Sequence, residues 1–227
     1  MTLPEILSEP QLDNAAELVT QYYTKLYDHD LPQTGSRFDN WAGGGDRSDV
    51  ANQITADDVL AVSFLSVQVP ATAAIGLIET SATEVTRLLG QIPTDIDLAS
   101  VPPEDYDAVL GPDSPANQLW RLLRGTDTYR WGIGPTRASK IMARKRPRLI
   151  PIYDSVVGPL MGLQTCEGQW KTWHSVLADG SGLPDRLREI REKAAIGVDI
   201  SDLRTMDVVL WMHGKELGME VIEDGTS

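Results

Sequence analysis

The chain has 227 residues, of which 41% are hydrophobic and 23% charged, enough for a packed interior and too apolar for a disordered polymer. Its single cysteine, Cys166, excludes a disulfide framework and any thiolate-held iron–sulfur cluster or zinc site built by this chain alone. A formal charge of −13 argues against a generally adhesive nucleic-acid binder, because such domains are basic overall.

The opening residues MTLPEILSEPQLDNAAEL carry early acids and no basic-then-apolar signal pattern, and nowhere do eighteen apolar residues run together. The expectation is a soluble cytoplasmic protein with no membrane span. Over residues 12–28, Ala15, Leu18, Val19, Tyr22 and Leu26 recur at helical spacing. Glycines, aspartates and a lone proline then read as a long surface loop, which Phe38 and Trp41 pin to the body. Gly43-Gly44-Gly45 lacks the lysine and hydroxyl pair of a nucleotide-binding P-loop.

Thr55 is placed to cap a helix with Asp57 and Asp58 in its first turn. The apolar run VLAVSFLSVQV that follows is expected to be a buried central helix ended by Pro70. One or two helices over 71–90 are expected to turn Ile75, Leu77, Ile78, Val85, Leu88 and Leu89 inward. Residues 91–115, rich in proline and aspartate, read as connector with a short helix near 103–109. Residues 116–125 form a helix with Leu119, Trp120, Leu122 and Leu123 inside and Gly125 as its stop. Trp170, Trp173 and Leu177 define the next apolar stripe. Leu187 and Ile190 mark a charged helix over 184–195, and Met206, Val209, Leu210 and His213 a last one. The sum is an all-α protein of about nine or ten helices, divided into residues 1–54 (a helix and a flexible loop) and one compact helical unit over 55–227.

The sharpest local pattern is WGIGPTRASKIMARKRPRLIPIYDSVV, residues 131–157. Residues 131–153 hold six basic side chains (Arg137, Lys140, Arg144, Lys145, Arg146 and Arg148) and no acid. Gly132 and Gly134 flank a turn, and Pro135 suits a first helical position, where its missing N–H costs nothing. Arg137, Lys140 and Arg144 then fall within about 60° of one another on a helical wheel. Such a face meets a polyanion without reading bases, and free N–H groups at the helix start suit a phosphate. Alternatively the basic stripe pairs with acidic neighbours inside the fold. The segment ends on one carboxylate, Asp154, placed to cap the helix SVVGPLMG.

Gly132-Ile133-Gly134, Ala138 four residues on, and Asp154 twenty residues after Gly134 in the setting Pro151-Ile152-Tyr153-Asp154-Ser155-Val156-Val157 resemble the helix-hairpin-helix DNA glycosylase superfamily. The wider stretch ASKIMARKRPRLIPIYDSVV also resembles a group of actinobacterial proteins that share a domain of unknown function. The first resemblance implies a glycosylase-like helical bundle whose hairpin grips DNA phosphates through Gly132, Gly134, Thr136, Arg137, Lys140 and Arg144. It makes Asp154 the catalytic aspartate that stabilises an oxocarbenium-like sugar as a flipped base leaves. Trp131 and Tyr153 flank the site as base-pocket candidates. Thr136 stands where lyase members carry a Schiff-base lysine, so the surviving activity is a monofunctional N-glycosylase. Val156 replaces the histidine usual in that family. The alternative is a non-enzymatic binding or regulatory module that keeps the fold and meets a protein partner through its acidic surface. No cofactor or metal is expected, because His29, His174 and His213 lie far apart and no nucleophile motif accompanies Cys166.

Overall fold

The computed structural model describes residues 3–25, 32–125 and 131–220. It is all-helical, with no strand among the described residues. In chain order the α-helices are α1 (Leu12–Thr24), α2 (Ala56–Ser63), α3 (Ala71–Ile75), α4 (Ala82–Leu89), α5 (Tyr106–Leu110), α6 (Pro115–Arg124), α7 (Pro135–Lys145), α8 (Val157–Leu160), α9 (Gln169–Leu177), α10 (Leu183–Ala194) and α11 (Asp202–Glu216). Short 3-10 turns and one π-turn, Gly76–Thr80, fill several connections.

Side-chain chemistry sets several boundaries. Thr55 Oγ1 accepts from the Asp58 amide while the Asp58 carboxylate accepts from the Thr55 amide, a reciprocal capping box that starts α2. Ser114 caps α6 ahead of Pro115, and Gly125 closes it in the left-handed conformation (φ 63°). Ser201 caps α11, and its hydroxyl also donates to the Pro147 carbonyl.

The apolar run after Thr55 does not continue to Pro70. Helix α2 stops at Ser63, and Ser66 turns the chain at φ 58°, so Pro70 instead precedes α3. In the next segment Leu77, Val85, Leu88 and Leu89 are buried as expected, but Ile75 and Ile78 face outward. The π-turn is one residue wider per turn than an α-helix, so it breaks the 3.6-residue phase on which the inward assignment rested.

Helix α7 runs through the middle of the molecule, with nine of its eleven residues buried. It lies against α2 and α6, while α1, α10 and α11 pack together and α8 meets α11. The N-terminal segment is part of this body, because α1 rests on α10 and α11 and residues 35–45 wrap α7. Phe38 is buried, and Trp41 donates its indole N–H to Asp57 and meets Phe64 edge-on. Gly45 approaches α7 so closely that a Cβ there would lie 2.4 Å from the Arg144 carbonyl oxygen.

Candidate functional site

The basic segment builds two charged clusters, both inside the protein. In the first, Arg144 Nε and Lys145 Nζ hold the two oxygens of Asp58 at 3.3 and 3.0 Å. The remaining Arg144 donors reach the carbonyls of Phe38, Asp39 and Trp41. Arg146 donates to the carbonyls of Leu89, Ile92, Ala51 and Lys145 and to the Asn52 side chain. Two of those carbonyls end or follow α4, where the helix dipole is negative. Burial lowers the Arg146 guanidinium to about 10, partly offset by Asp46, so it still carries its charge at neutral pH. Burial also lowers Lys145, against the attraction of Asp58.

Lys140 and Arg144 are two of the residues that the resemblance assigns to phosphate. Each is at most 3% exposed and committed to acceptors within the protein. Arg137 is only half-buried, but its guanidinium donates to the Gln68 and Gly132 carbonyls, folding back over the turn. Thr136 is buried, with its carbonyl accepting from Ser139. Gly132 takes positive φ (70°) at the surface, whereas Gly134 is extended and caps α7 without a side-chain partner. Residues 126–130, which lead into this turn, lie outside the described residues, as does Leu26 of the first helical stripe.

The second cluster surrounds Asp154. Its Oδ1 accepts from the amides of Val156 and Val157 at 2.9 and 2.8 Å, the capping role expected for the start of α8. The same carboxylate also lines a pocket of about 40 Å³, walled by Tyr22, Leu65, Ser66, Lys140, Arg204 and Asp207 among others. Lys140 Nζ donates to the Leu65 carbonyl at 3.0 Å in that wall. Ser66, the next residue, carries the strained left-handed backbone noted above, a feature that recurs around functional sites. Arg204 fixes the far side, bonding Asp39, Tyr22, the Gly35 carbonyl and Asp207. Burial alone would lower the Arg204 pKa, but Tyr22, Asp39, Tyr23 and Asp207 together drive it well above the ordinary arginine value.

Asp207 is the unusual member. Its Oδ2 accepts from Arg204, while Oδ1 is buried with no hydrogen-bond partner among the described residues. An unsatisfied buried acceptor costs about 1–3 kcal/mol, so the fold tolerates a local penalty here. Burial pushes the Asp207 carboxyl up to about 7; Arg204 and Lys140 oppose the rise and Asp154 adds to it. A carboxyl poised near neutrality beside a second carboxylate is a pattern that supports acid–base chemistry.

The base-pocket residues lie elsewhere. Trp131 packs over Gly76, and the Tyr153 ring lies against Gly158. Neither lines the pocket around Asp154, whose aromatic walls are Tyr22, Phe64 and Trp211. Asp207 and Arg204 carry no local motif and went unmarked in the sequence. The one available signal is a charged pair, i and i+3, directly before the apolar run Val208-Val209-Leu210.

These features define an all-helical protein with a central charged helix and a small pocket lined by two carboxylates. A family of unknown function (DUF6308) matches residues 15–214, and the chain belongs to that family. No curated protein and no solved structure matches it. No described helix is long and apolar enough to cross a membrane.

Proposed function

We propose that the protein is a monofunctional N-glycosylase of helix-hairpin-helix type, acting in the cytoplasm on a nucleotide in DNA with Asp154 as its carboxylate. The observation that supports this reading is the double placement of Asp154, held by the amides of Val156 and Val157 at the start of α8 and lining a small charged pocket. A carboxylate fixed by amide donors before the reaction stabilises a developing oxocarbenium ion without reorganisation at the moment of cleavage. Tyr22, Phe64 and Trp211 supply the aromatic walls that an extruded base needs. The cavity holds roughly three water-sized spheres, so a sugar enters only when the Thr34–Gly35 or Ser66 wall gives way.

Burial of Lys140, Arg144, Lys145 and Arg146 favours a second reading, a non-enzymatic binding module whose acidic exterior meets a protein partner. Base release separates the two. Duplexes carrying one uracil or one 7-methylguanine are incubated with excess protein, and the resulting abasic sites are cleaved with alkali. The glycosylase reading expects release by the wild type and its loss in Asp154→Asn. Release from neither duplex, or release undiminished in Asp154→Asn, sinks it.

A further inference from the structure

We propose that Asp207 is the proton-accepting carboxylate of this pocket: its Oδ1 holds the attacking water and takes that water's proton as the glycosidic bond breaks. The inference rests on the glycosylase reading and adds to it a residue that no motif marks.

Three features of the pocket support the assignment. Asp207 is 4% exposed and lines the pocket, and Oδ1 alone of its oxygens lacks a partner among the described residues; that oxygen is shut off from solvent in this state, so a water meets its lone pair only once the pocket wall gives way. Asp154 is held in place by the two amide hydrogens that its Oδ1 accepts, which suits it to a fixed position facing the sugar. Arg204 holds Asp207 Oδ2 from one side and is itself fixed by Tyr22, Gly35 and Asp39, which leaves Asp207 little freedom to rotate.

The charged groups facing Asp207 come from every neighbouring element: Arg204 on its own helix, Tyr22 on α1, Asp39 behind Arg204, Lys140 on α7 and Asp154 ahead of α8. Burial and Asp154 favour its protonated form, while Arg204 and Lys140 favour the carboxylate, so it exchanges a proton near neutral pH. In the reaction the C1′–N bond breaks with its electron pair leaving on the base, and a C1′–O bond forms to the water. One water hydrogen passes to Asp207, which gives it up to the base anion. Asp154 faces the sugar cation throughout, dividing between two carboxylates the roles that a single aspartate would otherwise combine.

The pH profile of single-turnover release from the uracil and 7-methylguanine duplexes tests this. The wild-type rate is expected to rise about tenfold per pH unit below neutrality and level above it, as a base of this kind deprotonates. Asp207→Asn is expected to lower the plateau by about 10²–10⁴-fold and flatten the profile. Asp207→Glu, which keeps a carboxylate should the amide disturb folding, is expected to retain the slope. A flat wild-type profile, or a wild-type rate and slope in Asp207→Asn, overturns the role of Asp207 and leaves that of Asp154 standing. No release by the wild type overturns both.

Discussion

Asp207 also couples the fold to pH, independently of any reaction. Its carboxyl titrates at about 7 in the folded protein against an ordinary 3.8, so between those values the native state binds a proton that the unfolded chain does not. A carboxyl raised in this way contributes stability that is complete below the unfolded pKa and is lost as pH rises through about 7. A shift of roughly three units corresponds to on the order of 4 kcal/mol. Urea unfolding between pH 5 and 8.5 should therefore show the wild type losing stability relative to Asp207→Asn, whose neutral amide does not titrate. Parallel curves for the two proteins would remove Asp207 as the titrating group. Gly45 offers a second test at the same scale. A methyl group there meets the Arg144 carbonyl at 2.4 Å and Asp58 Oδ1 at 2.8 Å, and backbone cannot yield as a side-chain tip can. Gly45→Ala is expected to cost about 1–3 kcal/mol, read as a fall in the urea midpoint.

At the scale of elements, α7 is a buried staple and not a basic outer face. Arg144→Ala leaves three carbonyls without their donor and weakens the neutralisation of Asp58, a loss of about 3–5 kcal/mol. Arg148→Ala removes only a half-exposed pair with Asp97 and should cost under about 1 kcal/mol. Equal costs by urea unfolding would contradict the internal role of Arg144. The sequence made several elements readable. Ala15, Leu18, Val19 and Tyr22 mark α1, Leu187 and Ile190 mark α10, and the Thr55 cap and Gly125 stop stand where residue chemistry places them. Periodicity gives a helix its faces but not the partner each face meets. The acceptors that draw Arg144 and Arg146 inward lie at positions 38–41, 51–58 and 89–92, far away in sequence and mostly backbone carbonyls. No local pattern announces a carbonyl that has lost its helix partner. Asp207 is hidden for a related reason: Val208 and Val209 beside it read as core, while an acid on a helix that also carries Asp202 and Glu216 reads as solvated surface. Only the tertiary approach of α7, α8 and α1 turns it into a pocket wall.

Charge at the scale of the whole molecule follows from this internal bookkeeping. Lys140, Arg144, Lys145, Arg146 and Arg204 are buried, against the carboxylates of Asp58, Asp154 and Asp207, so the exterior is more acidic than the chain total of −13. A polyanion approaching the α7 turn meets Arg137, already bonded to two carbonyls, and the amides at the start of the helix. Duplex affinity supported by those groups involves about one released counterion, because backbone N–H groups neutralise no phosphate charge. With one contact, affinity falls only about threefold to fourfold between 50 and 200 mM salt; four contacts from an exposed basic stripe would give on the order of a hundredfold. Fluorescence anisotropy with a labelled duplex across that range reads the difference directly. A shallow slope agrees with the buried stripe, and Arg137→Ala should then abolish what slope remains. A steep slope would mean that cations other than those of α7 form the DNA face, and charge-reversal of the exposed Arg121 and the half-buried Arg124 on α6 would locate it.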